Sequence, residues 1–379
     1  MNAAELPETI AAATADQPTA RLALAAAARS PSHAYLLAGP PGSGKRAAAR
    51  ALVAELLADG APDADDARRR ALADPSPHPD LVWLRPPGAQ HLVEEVRERV
   101  IAAAAYRPFE GARRAFVIED ADAMAEESQN ALLKTLEEPA PFAHLVLVSS
   151  EPEALLETVR SRCVPVRFAR LTPEAVEARI ADVDAPGAER RAAARLSGGD
   201  SERARFLLGE EGRSLRAAAE NLCVTAGSGE LVEAPWSALI EAAEEAGERA
   251  GAEARARAAE LEEESAERAG QAARKRAREA EEAARRKTRS ARNQTLDFGL
   301  GLVAAWLRDL AAVAEGARDA VLATDRLAEL ERAAADVDPR RARRGAELAM
   351  ETRRRLTVNV NETLALEALS YRLEYLLSG

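Results

Sequence analysis

The sequence predicts an α/β domain built on a parallel sheet, joined to a second part that is entirely helical. Three observations carry this. Short apolar runs without alternation recur through residues 35–168 and then cease. A glycine-rich loop follows the first run and opens a helical stretch. The rest of the chain is rich in alanine and the whole contains only 3% aromatic residues, a composition suited to helices around small aliphatic cores.

The apolar runs are 35–38, 81–84, 115–118, 145–148 and 164–168, each as long as a strand buried on both faces. Helical spacing separates them at 46–58, 91–105 and 126–138, and this rhythm implies right-handed crossovers. Thr172 and Pro173 then form a helix start, a hydroxyl cap followed by proline at the first helical position. Gly198-Gly199-Asp200 divides two helices, and a small helical unit closes near Leu208. From about Ser214 the pattern is helical throughout, so the expected domains are 1–169, 170–210 and 211–379.

Within the last of these, residues 241–293 hold one large aliphatic side chain, Leu261. The first half is acidic and 274–292 is mostly basic. A fully helical segment of this length would extend ~80 Å at ~1.5 Å per residue. With so little to bury, a solvated or partly disordered arm is expected. A coiled-coil contact and a basic face on DNA are the alternatives. Apolar helical spacing returns at 300–310 and 364–377.

Composition narrows the function. A chain of 379 residues accommodates two or three domains. The net charge of −11 excludes a surface that binds nucleic acid everywhere and leaves only local contacts. Cys163 and Cys223 are too few and too far apart for a disulfide framework or a zinc site, as expected in a reducing cytosol. Residues 1–16 lack the basic start and apolar centre of a signal peptide, and no run reaches the ~20 apolar residues of a membrane span. The expected location is cytoplasmic.

Gly39-Pro40-Pro41-Gly42-Ser43-Gly44-Lys45 has the form of a phosphate-binding loop. In such a loop backbone N–H groups cradle phosphates, the lysine reaches the outer ones, and a following Ser or Thr holds Mg²⁺. Here that position is Arg46, which removes the hydroxyl and repels a divalent ion. The run 115–118 ends in Glu119 and Asp120, the two acids of a Walker B strand in reversed order. Reversal moves each carboxylate by ~1 Å, and displacements of that size can cost on the order of 10² in rate. Arg46 and Glu119 are expected to pair and fill the vacated metal position.

Downstream stand Asn130-Ala131-Leu132-Leu133-Lys134-Thr135-Leu136-Glu137-Glu138-Pro139, the serines Ser149 and Ser150, and Ser161-Arg162-Cys163. Ser32-His33-Ala34-Tyr35 precedes the phosphate loop, and Arg107-Pro108-Phe109-Glu110-Gly111 precedes the Walker B strand. Asn359-Val360-Asn361 and Leu364-Ala365-Leu366-Glu367-Ala368-Leu369 lie near the end. This order resembles the clamp-loader branch of the AAA+ ATPases, in the bacterial DNA polymerase III machinery. The resemblance is dense from about Ala20 to Arg170, weaker through 170–210, and returns in the last twenty residues.

The resemblance implies a RecA-like AAA+ domain, a small helical lid and a helical collar carrying the charged insertion. It implies that Arg162 is an arginine finger acting in trans, since a guanidinium is always charged and can fork onto phosphate oxygens; a structural salt-bridge partner is the alternative for Arg162. Ser149 or Ser150 would read a γ-phosphate, and Arg203 would stand near the lid's sensor arginine; an ordinary surface charge is the alternative for Arg203. The nucleotide-site set is then Gly39, Gly42, Gly44, Lys45, Arg46, Glu119, Asp120, Ser149, Ser150 and Arg203. ATP or ADP is left open, Mg²⁺ is not expected in this site, and no metal ligands are assigned. Relatives often carry a four-cysteine zinc module, but residues 58–80 hold no cysteine and only His78 as a ligand, so zinc is not expected.

Implied partners are gamma/tau-type ATPase subunits, the delta subunit, the sliding clamp, and primer–template DNA through its backbone. Arg46 and the Glu119-Asp120 order favour a largely non-hydrolysing stator over an active motor of gamma/tau type. A coiled-coil adaptor built on 241–293 is a third reading, opposed by that segment's lack of large apolar residues.

Overall fold

The computed structural model describes residues 6–86, 90–229, 231, 234–264, 271–335, 337–356 and 361–378. The chain divides into two compact units, Met1–Leu171 and Thr172–Gly379.

The first unit is a parallel sheet with helices on both faces. Its strands are β1 (Ala34–Ala38), β2 (Leu81–Leu84), β3 (Arg114–Ile118), β4 (Ala143–Ser149) and β5 (Val164–Arg167). They are ordered β2-β3-β4-β1-β5, so β4 separates β1 from β3. One face packs on α1 (Glu8–Ala13), α2 (Pro18–Arg29) and α3 (Lys45–Ala58), through Ile10, Leu24, Leu52, Leu56, Leu37 and Val117. The short helix α4 (Ala64–Leu72) lies on α3. The opposite face buries Leu36, Phe116, Leu145 and Leu147 against Val96, Leu132, Leu136 and Val159. Those residues come from the stretch after α5 (Val93–Glu95), from α6 (Glu126–Glu137) and from α7 (Glu157–Arg160).

Two sequence expectations for this unit need correction. The last strand is not buried on both faces: of β5, only Val166 is buried. It is a sheet edge, where Pro165 removes a donor without breaking a ladder on both sides. The stretch 91–105 is not one regular helix; α5 passes into π-helical Val96–Ala102 and a 3-10 turn at Ala103–Ala105.

The second unit contains α8 (Pro173–Arg179), α9 (Gly187–Leu196), α10 (Ser201–Leu208), α11 (Glu210–Ser228), α12 (Ser237–Glu264), α13 (Gln271–Ala314), α14 (Leu327–Ala334), α15 (Pro339–Arg355) and α16 (Glu362–Leu377). Thr172 caps α8 through Ala175 N at 3.2 Å, with Pro173 at the first helical position. Gly198 and Gly199 adopt positive φ, and Asp200 then caps α10 by accepting from Glu202 N and Arg203 N. The helices α11, α13, α15 and α16 share a core containing Leu222, Val303, Leu307 and Leu373. Asn361 caps α16 through Leu364 N at 3.0 Å; Asn359 and Val360 lie outside the described residues.

The charged segment is not a bare solvated arm. Its parts of α12 and α13 pack side by side and antiparallel, with Arg255 on Glu281 at 2.9 Å and Arg292 near Glu244 at 3.6 Å. Close approach substitutes for bulky side chains here. A Cβ on Gly247 would lie 2.9 Å from Thr288 O, and one on Gly251 would lie 2.2 Å from Thr288 Oγ1. Ala243 and Ala284 are buried in the same region. Among the described residues, no helix is long and apolar enough to cross a membrane.

Candidate functional site

The loop after β1 is shaped by its glycines. Gly42 and Gly44 take positive φ of 69° and 95°, and α3 starts at Lys45 directly behind them. Gly39 has a different reason to be glycine. A Cβ there would stand 2.4 Å from Phe168 O, because the loop crosses the end of β5 at backbone distance. Lys45 is only 6% exposed, and its Nζ donates to Gly39 O (2.6 Å), Pro40 O (2.7 Å) and Ser150 Oγ (3.2 Å). The lysine therefore sits inside its own loop.

Glu119 follows β3 and is 2% exposed. Arg46 Nε meets its Oε1, the pairing expected from the sequence. Its Oε2 accepts from Trp83 Nε1 at 2.8 Å and Arg85 Nε at 2.9 Å. The cluster continues outward, since Arg85 and Arg50 both reach Asp74, at 2.6 and 2.9 Å, and Arg50 lies over the Trp83 ring at 4.4 Å. Glu119 is thus a carboxylate held by two guanidiniums and an indole.

Asp120 adopts a left-handed φ of 49°, and burial pushes its carboxyl above the ordinary range, against the pull of Arg46. The neighbouring Asp122 makes the link to β4: its Oδ1 accepts from Ser150 N at 2.9 Å. Of the two candidate sensor serines, Ser150 touches the phosphate loop through Lys45, whereas Ser149 Oγ is buried without a hydrogen-bond partner. His91 fixes the Walker B turn from behind, with Nε2 2.7 Å from Glu119 O. Burial lowers the His91 pKa below its usual value.

The Ser-Arg-Cys tripeptide divides three tasks. Ser161 Oγ donates to Thr158 O at the end of α7. Cys163 is buried against α6 and α7, where desolvation pushes its thiol up to about 12, so it anchors and does not react. Arg162 between them is 34% exposed, donating from NH1 to Thr158 O at 2.8 Å and from NH2 to Glu137 Oε1 at 2.6 Å. In the second unit, Arg203 lies 3.7 Å from Asp200 and 5.4 Å from the Phe298 ring centre.

Sequence reasoning brought Lys45, Arg46, Glu119, Asp120 and Ser150 to one strand-end crevice. It missed Trp83, Arg85, Asp74 and Asp122. Trp83 and Arg85 sit at the end of the run 81–84, next to the Walker B strand, which was the available signal. Residues 58–80 contain α4, capped by Asp63 and tied to α3 by Arg68 on Glu55 at 3.1 Å. His78 in this stretch is buried, with Nδ1 accepting from Asp80 N at 3.1 Å. Among the described residues no group of three or more His, Cys, Asp or Glu side chains is placed to hold a metal ion.

Residues 15–172 match the family model described as DNA polymerase III, delta subunit. The DNA polymerase III subunit delta' of Pseudomonas aeruginosa is 36% identical over 194 residues, covering 49% of this chain and 58% of that protein. Its Bacillus subtilis counterpart is 34% identical over 162 residues, covering 40% and 47%. A gamma subunit-related protein of Thermotoga maritima aligns in structure over 94% of this chain and 99% of its own, at 14% identity and a TM-score of 0.41. The chain spans about half the length of the curated relatives it matches. The family model covers nearly all of the sheet domain, where the loop, the Walker B turn and the Ser-Arg-Cys motif stand.

Proposed function

We propose that this chain, whose residues 15–172 match the DNA polymerase III delta subunit family model and which is similar to delta' subunits, is a largely non-hydrolysing subunit of a clamp loader. In this reading it acts as a stator. Its own nucleotide crevice is a scaffold, and Arg162 completes the ATP site of a neighbouring gamma/tau-type subunit. The assembled ring, with a delta subunit, grips and opens a sliding clamp and places it on primer–template DNA. Contacts to DNA run to phosphates, through arginines and helix N-termini, without sequence preference.

The observation that carries the reading is the Arg46–Glu119 contact. The loop amides and Lys45 can still hold the phosphates of ATP or ADP. What is missing is the pair of groups that would coordinate magnesium: the hydroxyl is absent, and the Walker B acid is spent on Arg46, Arg85 and Trp83. An active motor is disfavoured on the same ground.

The test is ATP turnover by the purified full-length chain, alone and then mixed with the gamma/tau-type subunit from the same genome. The expected result is no turnover alone and stimulation of the partner that Arg162→Ala removes. Robust Mg²⁺-dependent turnover by the chain alone would reject the stator and establish the motor.

A further inference from the structure

Glu137 has no local reason to be acidic. It is the last residue of α6, where a carboxylate opposes the helix dipole, and Lys134 is the favourable charge in that turn. Its side chain is 49% exposed, and exposed ion pairs add little to stability. Yet it makes one short contact, to NH2 of Arg162 at 2.6 Å. The adjoining Glu138 is also acidic but has no ion pair among the described residues.

We infer that Glu137 is the positioning residue for Arg162, an inference that rests on the finger reading above. A half-exposed arginine on a loop samples many rotamers, and that freedom must be lost before it can act on a transition state. Here the side chain is held at two points: NH1 on Thr158 O, within α7, and NH2 on Glu137 Oε1, at the end of α6. Each belongs to a helix packed on the sheet, and Cys163 buries the adjoining backbone. Two of the five guanidinium N–H donors are used in this way, which leaves three for phosphate oxygens of another subunit. Glu137 touches none of the reacting atoms. It sets the direction of a group that does.

The experiment compares Glu137→Gln, Glu138→Gln, Arg162→Ala and the double variant Arg162→Ala/Glu137→Gln, each as full chain mixed with the gamma/tau-type subunit. Partner ATP turnover, the KM for ATP and assembly by size-exclusion chromatography are read together. Glu137→Gln should lower the partner's kcat by roughly 10-fold, with KM and assembly unchanged, since orientation is lost only where the finger acts. Glu138→Gln should do nothing, and the double variant should be no slower than Arg162→Ala alone. An unchanged or raised kcat in Glu137→Gln overturns the proposal, as does a loss that follows weaker assembly. An additive loss in the double variant overturns it too. If Arg162→Ala itself leaves the partner unaffected, the finger reading fails and this proposal falls with it.

Discussion

The two ends of the sheet domain's chemistry have been treated in opposite ways. At the phosphate loop the charged groups are turned inward: Lys45 bonds its own loop, and Glu119 is enclosed by Arg46, Arg85 and Trp83. At the Ser-Arg-Cys loop Cys163 is buried while Arg162 remains accessible. Both use the same materials, arginine and glutamate at the ends of regular elements. The difference is burial of the carboxylate. A buried Glu119 must be neutralised by fixed partners, whereas a half-exposed Glu137 only biases a side chain that can still engage a second molecule. The proposed stator function rests on this contrast, an enclosed carboxylate at one end and an accessible guanidinium at the other.

The largest effect that tests this contrast is at the outward end. Arg162→Ala should reduce stimulated turnover of the gamma/tau-type partner by ~10³, the lower end for fingers supplied in trans. Its melting temperature should barely move, because the ion pair it loses is exposed and worth ~1 kcal/mol at most. Persistent stimulation would erase the distinction between the two ends.

At the inward end, Gly39→Ala should destabilise the sheet domain by ~1–3 kcal/mol, since the new methyl meets backbone at Phe168 O and cannot be relieved by rotating a side chain. Denaturant unfolding measures it, and a neutral result would mean the loop does not rest on β5. Releasing Glu119 is the sharper test of the proposed non-hydrolysing role. Arg46→Thr combined with Glu119→Asp should raise ATP affinity at least ~10-fold, about 1.4 kcal/mol, only when Mg²⁺ is present. Calorimetric titration with and without the ion gives the answer. No magnesium-dependent gain would refute the account of Arg46 as the filled metal site.

The smallest expected effect is on pH dependence. Burial holds His78, His91 and His144 below the usual histidine pKa. The native state therefore binds fewer protons than the unfolded chain as pH falls below ~6.5, so stability is full above that value and declines beneath it. Asp120, raised by burial, acts with the opposite sign at lower pH, near the carboxyl range. Melting at pH 7.5 should exceed melting at pH 5.5, and His91→Gln should flatten the slope. An unaltered slope would mean that His91 does not contribute.

Much of the molecule was legible in one dimension because its determinants are local. Five apolar runs between helical stretches specify a doubly covered parallel sheet, since only burial on both faces makes such runs favourable. The loop glycines, the reversed acids, Thr172 with Pro173, and the Ser-Arg-Cys tripeptide each act within a few residues of one another. Even the Arg46–Glu119 pairing followed from charge and the known proximity of the two strand ends. Tertiary structure alone decided what depends on strand order and close packing. The order β2-β3-β4-β1-β5 puts β2 beside β3, bringing Trp83 and Arg85 to Glu119, and leaves β5 as an edge with an exposed side. The charged helices pair through Gly247, Gly251 and Thr288, a seam that hydrophobicity cannot reveal because backbone proximity replaces side-chain bulk. Glu137 was visible as a letter, but its contact with Arg162, 25 positions away, exists only once α6 and α7 are packed on the same face of the sheet.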